Sequence, residues 1–245
     1  MTKSQTTIKC AQLNLHHLRT ATYNLTQIIT QNNTDVSFVQ EPYMVQNNVA
    51  GFPKSFRIFA NGGDRKKSAI IINNNNIDAI AVRQLSNEDT TLLELRHGDL
   101  NFYGAILYLP IDRDIERDVE SIDKIVQHTK GEGIVISVDS NSRSKLWHDT
   151  ITNQRGKSLE EYILTHDLFL MNEETGTPIF ESMRGRSWID LTLCNNTLAQ
   201  KTSGWTCGEE SCADHKIIFF NIATARTGGT AHYYPGKRYL TKTEE

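Results

Sequence analysis

The stretch 133–139, GIVISVD, constrains this chain more than any other. It is a run of mainly β-branched apolar residues, which reads as a strand that must be buried. That strand ends on Asp139, and Asn141 follows two residues later. On an extended backbone this spacing points the carboxylate and the carboxamide to the same face. Polar groups at the end of a buried strand are costly unless partnered, and strand ends are where α/β proteins place their chemistry. Arg143, Lys145, Trp147 and His148 follow closely.

The same pattern recurs along the chain. Segment 8–15 reads as a strand ending at Asn14, and Leu18, Leu25, Ile28 and Ile29 then recur at helical spacing. Segment 35–41 is a second strand, ending on Glu41 with Pro42 as its stop. Short β-rich segments at 56–60, 68–72, 77–82, 91–97 and 100–110, joined by Gly, Asn and Asp clusters, read as a meander. Ile115, Val119, Ile122, Ile125 and Val126 mark an amphipathic helix, and 157–166 another. A strand at 167–172, a hairpin between Asn172 and Arg186, and strands at 187–193 and 216–222 complete the pattern. It predicts two packed sheets with helices on their outer faces, filling one domain over 1–225. Residues 226–245 are polar and aperiodic and read as a flexible linker towards a downstream domain.

Composition narrows the function classes. Hydrophobic residues make up 38% of the 245 residues, enough for a core. A net charge of −3 argues against a non-specific nucleic-acid coat protein. It leaves room for an enzyme whose phosphate contacts are local. The cysteines Cys10, Cys194, Cys207 and Cys212 form no Cys-x-x-Cys pair, with Cys207 and Cys212 expected as free thiols in a loop. The start MTKSQTTIK lacks a signal-peptide core. Together these point to a reducing compartment inside the cell, where sequons such as Asn24-Leu-Thr26 are chance matches. No apolar run approaches the roughly 18–20 residues that span a bilayer.

The polar strand ends, taken in order, are Asn14, Glu41, Tyr108, Asp139 with Asn141, Asp190 inside SWIDLTL, and Asp214-His215. Any one of these is ordinarily a cap or turn former. As a set they are coherent for phosphodiester hydrolysis. Glu41, Asn14 and an aspartate such as Asp214 offer hard oxygen ligands for Mg²⁺, with Mn²⁺ as a substitute. Asp139 can orient or deprotonate a water, Asn141 and Tyr108 can donate to a phosphate oxygen, and Asp190 can support His215. His16-His17 has no second pair at zinc-ligand spacing, so surface or supporting histidines are the plainer reading. RGKS at 155–158 lacks the glycine of a phosphate loop and reads as a helix start. Trp147 and Trp188 read as core.

In order and spacing, QLNL, VQEP, YLP, VDSN, SWIDLTL and ADHKIIFF resemble the motifs of the exonuclease III, apurinic endonuclease and DNase I superfamily, from about residue 8 to 222. GTPIF, RGRSWIDLTL and SNSRSKLWHD look most like the endonuclease domain of LINE-type non-LTR retrotransposons. The general look of the chain suggests the telomere-targeted TRAS elements of insects. The resemblance implies a four-layered α/β sandwich and a divalent-metal endonuclease. It implies nicks with a 3′-hydroxyl and a 5′-phosphate, the 3′-hydroxyl priming a reverse transcriptase domain of the same polyprotein on telomeric DNA in the nucleus. Two departures stand out. His16 replaces a common acid, and Ala213 replaces the usual Ser before Asp-His.

Sequence choice is expected in the hairpin, with Thr175, Arg184 and Arg186 facing DNA, although a solvated turn is the bland reading. Arg143 and Lys145, like Lys66 and Lys67 of DRKK, are expected at phosphates. Two other function classes share the pattern: a phosphoesterase of the same fold acting outside nucleic acid, and a catalytically inactive DNA-binding module. Retention of so many acids at strand ends argues against the inactive module.

Overall fold

The computed structural model describes residues 7–224 apart from Arg184 and Cys212, with residues 209–211 described in backbone only. In chain order the elements begin with β1 (Thr7–Asn14), α1 (Arg19–Gln31), β2 (Val36–Gln40), β3 (Met44–Val45), β4 (Asn48–Val49), β5 (Arg57–Phe59), β6 (Ser68–Ile72) and β7 (Asp78–Ala81). Next come β8 (Thr90–His97), β9 (Leu100–Tyr108), α2 (Ile115–His128), β10 (Gly133–Asp139), α3 (Gln154–Thr165) and β11 (Leu168–Leu170). The last are β12 (Phe180–Ser182), β13 (Gly185–Ser187), β14 (Asp190–Asn195), α4 (Asn196–Ala199), β15 (Thr202–Ser211) and β16 (Lys216–Ala223).

Two six-stranded sheets result, ordered β15-β16-β1-β2-β6-β5 and β11-β14-β10-β9-β8-β7. Each mixes directions: β1 is parallel to β2 and antiparallel to β16, and β10 is parallel to β9 and antiparallel to β14. Strand alternation sorts side chains into layers. Ala11, Leu13, Val39 and Ile71 face outward against Ala21, Leu25 and Ile29 of α1. Leu107, Ile136, Val138 and Leu193 face outward against Ile122 and Ile125 of α2 and Leu159 and Ile163 of α3. Between the sheets, Cys10, Val36, Phe38 and Ile70 meet Leu93, Phe102, Ile106 and Val135. The fold is a four-layered α/β sandwich, as the sequence implied.

The inner layer changes character along its length. The inner positions of β1 run Ile8, Cys10, Gln12, Asn14, and those of β10 run Val135, Ser137, Asp139; β14, antiparallel, runs Asp190, Thr192, Cys194. One end is therefore dry and the other polar. At the dry end Phe38 stacks with Phe220, ring centroids 6.0 Å apart. A Cβ on Gly104 would lie 3.2 Å from the Phe38 ring, so glycine admits this close approach of the sheets. Past the middle, Thr192 Oγ1 donates to Gln12 Oε1 at 3.2 Å, and Trp205 Nε1 donates to Thr192 Oγ1 at 3.0 Å.

Several sequence expectations shift. The meander divides, because β5 and β6 join the first sheet while β7, β8 and β9 form the edge of the second. The hairpin is shorter than residues 172–186, pairing only Phe180–Ser182 with Gly185–Ser187. The strand expected over 187–193 splits between β13 and β14, with Trp188 between them and only partly buried. Cys207 lies in β15, an edge strand that hydrophobic alternation did not reveal, rather than in a loop. Trp147 is fully buried as expected. The expected linker over 226–245 and Cys212 lie outside the described residues, and no helix among those described is long and apolar enough to cross a membrane.

RGKS does start a helix. The Asn153 side chain accepts from Gly156 N at 2.7 Å and caps α3, while also accepting from Arg143 N at 3.2 Å. A Cβ on Gly156 would stand 1.9 Å from the Arg143 carbonyl oxygen. Gly→Ala in a helix ordinarily gains about 1 kcal/mol. Here the sign reverses: Gly156→Ala is expected to cost about 1–3 kcal/mol, because the fixed backbone of residue 143 must move. A urea melt showing equal or greater stability would contradict this packing.

Candidate active site

At the polar end of the inner layer, Asp139 is the register partner of Tyr108 on one side and Asp190 on the other. Three strand ends of the second sheet thus place a phenol and two carboxylates in one row. The first sheet answers with Asn14 at the end of β1, Glu41 just past β2 and Asp214-His215 just before β16. Side-chain hydrogen bonds join the sheets here. Asn14 Nδ2 donates to Asp139 Oδ2 at 2.8 Å, and His215 Nδ1 lies 2.6 Å from Asp190 Oδ2. Asn14, Asp139, Asp190 and His215 are all buried.

Electrostatics follow from that burial. Desolvation, then the neighbouring Asp190 charge, raise the Asp139 carboxyl well above the usual carboxylate range, against the pull of His215 and the Asn14 hydrogen bond. Burial alone would lower His215, but the charge and hydrogen bond of Asp190 outweigh it and lift the imidazolium to about 9. Tyr108 is held protonated by burial and by the charges of Glu41 and Asp139, while Asn141 pulls the other way.

Backbone strain gathers at the same place. His16, His17, Glu41 and Asn141 have φ of 48°, 54°, 42° and 44°, the left-handed region that non-glycine residues rarely adopt. Each is tied down. His16 N donates to Asn14 Oδ1 at 2.8 Å, and His17 N donates to Glu41 O at 2.8 Å. Glu41 N donates to Lys67 O at 2.9 Å, and Asn141 Nδ2 donates to Leu109 O at 3.1 Å. Gln40 fastens the junction: in the amide orientation that satisfies both ends, it donates to Leu13 O and accepts from Asp139 N, each at 3.1 Å.

Asp139, Asp190 and His215 bring ligand atoms within 4.8 Å of one another, a group that could hold a metal ion. Asp190 Oδ1 and Asp214 Oδ1 are buried without a hydrogen-bond partner, so acceptor capacity remains for a hard cation. Asn14, expected as a ligand, bridges the sheets through its amide nitrogen, and its oxygen accepts from His16 N with a second lone pair left over. The two histidines stand beside the acids: His16 Nδ1 is 3.2 Å from Asp214 Oδ2, and His17 Nε2 is 3.6 Å from Glu41 Oε1. His16 thus occupies a place beside an acid rather than being one.

The residues expected at DNA fall into groups. Lys145 is exposed, and Lys67 Nζ lies 4.5 Å from the centre of the Tyr108 ring. Lys66 Nζ instead donates to Asn47 O and Gly63 O, at 2.6 and 2.8 Å. Arg186 is exposed and pairs with Glu181 across the hairpin at 2.7 Å. Thr175 Oγ1 accepts from Trp188 Nε1 at 3.1 Å. Arg184 lies outside the described residues. Arg143 is committed to structure: its Nε and Nη2 meet the buried Asp149, and Nη2 also donates to Arg186 O at 3.2 Å. Asp149 Oδ2 accepts from Trp188 N at 3.2 Å, which ties the loop after β10 to the segment entering β14.

Asp149 escaped sequence analysis, since its role depends on a partner brought by the loop; so did Gln12 and Gln40, whose only signal was a polar residue at inner-face parity. Burial works to raise Asp149, but the Arg143 hydrogen bonds and the Trp188 amide hold it below the usual carboxylate range. A depressed folded-state pKa contributes stability above the unfolded pKa that is lost as pH falls through the folded value. Asp149→Asn is expected to cost about 1–3 kcal/mol at neutral pH. The gap from wild type should narrow below the usual carboxylate range in pH-dependent denaturation, and a pH-independent gap would contradict the ion pair.

The chain is similar to known proteins. The endonuclease–reverse transcriptase family model matches residues 102–219. The chain is 23% identical over 216 residues to a 115 kDa protein of the type-1 retrotransposable element R1DM of Drosophila melanogaster, covering 84% of this chain and 21% of that protein. It is 22% identical over 192 residues to the Pol polyprotein of the type-1 element R1 of Bradysia coprophila, covering 73% of this chain and 19% of that one. The chain thus spans about a fifth of the length of these relatives. Among solved structures, the endonuclease domain of TRAS1, a telomere-specific non-LTR retrotransposon, superposes with a TM-score of 0.81 at 24% identity, covering 89% of this chain and all of that one (100%).

Proposed function

We propose that the chain, which resembles the endonuclease domains of non-LTR retrotransposons, is an apurinic-endonuclease-like endonuclease that nicks one strand of double-stranded DNA, at telomeric repeats. The cut leaves a 5′-phosphate and a 3′-hydroxyl, and the latter primes reverse transcription by a downstream domain of the same polyprotein. Action on chromosomal DNA puts it in the nucleus. The observation that carries this reading is the meeting of the Asp190–His215 and Asn14–Asp139 pairs beside Tyr108 and Glu41.

Asp139 takes a proton from the attacking water, and its raised pKa suits a base near neutrality. His215, turned by Asp190 and kept cationic, presents Nε2 to a non-bridging phosphate oxygen. Tyr108, held protonated, donates from the other side. The water oxygen bonds to phosphorus, the P–O3′ bond breaks, and the O3′ oxyanion takes a proton from solvent to become the hydroxyl, while Asp139 returns its proton to solvent. Glu41 and Asp214, with Asp190 Oδ1 at hand, are the residues that would hold Mg²⁺, with Mn²⁺ as a substitute. When bound, such a cation supplies charge neutralisation and Lewis acidity at the phosphate. The Lys67 ammonium over Tyr108 and exposed Lys145 and Arg186 suit the flanking DNA backbone.

Purified protein is expected to nick supercoiled plasmid with Mg²⁺, to stop with EDTA, and to lose at least about 100-fold in rate as His215→Ala. Cuts mapped on DNA carrying insect telomeric repeats should cluster in the repeats; evenly scattered cuts would remove the telomeric assignment. Lys67→Ala should lower the salt dependence of DNA binding by about one phosphate contact. Lys66→Ala, its ammonium held by loop carbonyls, should leave that slope unchanged. Equal slopes for wild type and Lys67→Ala would place Lys67 away from the DNA.

A further inference from the structure

The hairpin expected to face DNA is built onto the catalytic histidine. Phe180 and His215 are antiparallel bridge partners. Glu181 N donates to Asp214 O at 2.9 Å, and Lys216 N donates to Ile179 O at 2.8 Å. These bonds flank the pair instead of joining it, so Phe180 and His215 form a non-hydrogen-bonded pair, the type with the closer side chains. The rings meet accordingly, centroids 4.8 Å apart and planes inclined at 59°. Outside the backbone, Lys216 Nζ donates to Thr177 Oγ1 at 3.1 Å. On its other edge β12 pairs with β13, Phe180 opposite Ser187, and β13 runs within a few residues into Asp190. The hairpin therefore packs on His215 and leads along the chain into Asp190.

We propose that Phe180 is a positioning residue that sets the tilt of the His215 imidazole, so that the hairpin contributes to the rate of cleavage as well as facing DNA. Asp190 holds His215 at Nδ1, at 2.6 Å, and Asp214 Oδ1 lies 3.9 Å from Nε2. Because the torsion that turns an imidazole about its Cβ–Cγ bond has broad minima, the packing of the Phe180 ring adds to these contacts in fixing the tilt. An inclined aromatic neighbour at this distance favours one orientation. That orientation decides where Nε2 points. The proposal rests on His215 serving the scissile phosphate, as argued above. It also means that exchanging residues 175–184 as a block alters the support of the catalytic histidine together with the DNA-facing tip.

The test is steady-state nicking by Phe180→Leu, Phe180→Ala and Phe180→Tyr, with side-chain NMR of His215 in protein free of DNA. Leu keeps an apolar filling without the ring, so it reports on the ring if Ala fails to fold. The expected result is kcat lowered about tenfold to a hundredfold in Phe180→Leu with KM within about twofold, and kcat restored in Phe180→Tyr. The His215 ring-proton resonance should move in Phe180→Leu and return in Phe180→Tyr. A folded Phe180→Leu with wild-type kcat, or one altered in KM alone, overturns the proposal. His215→Ala nicking at the wild-type rate would instead overturn the underlying role of His215, and this inference with it.

Discussion

The structure depends on one layer, the space between the two sheets, and on its change from apolar to polar along the strands. At the dry end Cys10, Phe38, Phe102, Val135 and Phe220 exclude water and hold the sheets at close distance. At the other end the same inner parity brings up Asn14, Asp139 and Asp190, which cannot be buried without partners. Their partners stand on the opposite sheet. Hydrophobic packing thus brings the sheets together, and the polar end specifies how they align, since a slip of one residue would turn these groups to the wrong face.

The acids that meet there repel one another and have lost their water. This raises Asp139 and, through Asp190, keeps His215 charged. Groups tuned in this way suit proton transfer and anion stabilisation at neutral pH. The left-handed turns at His16, His17, Glu41 and Asn141 belong to the same arrangement. Each lets the chain leave a strand abruptly while a side chain stays over the layer's end, and each is held by hydrogen bonds to a neighbouring segment.

Support for the site comes from segments with little hydrophobic pattern. The Arg143–Asp149 pair joins the loop after β10 to the approach to β14, and the β12–β13 hairpin leans on Asp214 and His215. The surface expected to read DNA and the groups expected to cut it therefore share backbone hydrogen bonds. In a fold whose relatives include retrotransposon proteins, such sharing gives a physical route by which contact at the hairpin bears on the catalytic pair.

By itself the sequence determined the strands of the layered core and the order of their polar ends. Alternation and β-branching are local; Asp139 and Asn141 were read together on an extended backbone, whereas the strand ends at Asp139 and a left-handed turn at Asn141 brings its amide back to the site. β15 was missed because it is an edge strand with register shifts and polar residues, paired on one side only. The division of the meander was hidden because β6 and β7 each look like a strand whichever sheet receives it. Tertiary structure alone decided which groups meet: Asn14 with Asp139 across 125 residues, His215 with Asp190 across 25, and Arg143 with Asp149 and the backbone of Arg186. The covalent chain sets which side chains share a strand face, whereas contacts between faces exist only once the two sheets have excluded water and set their distance.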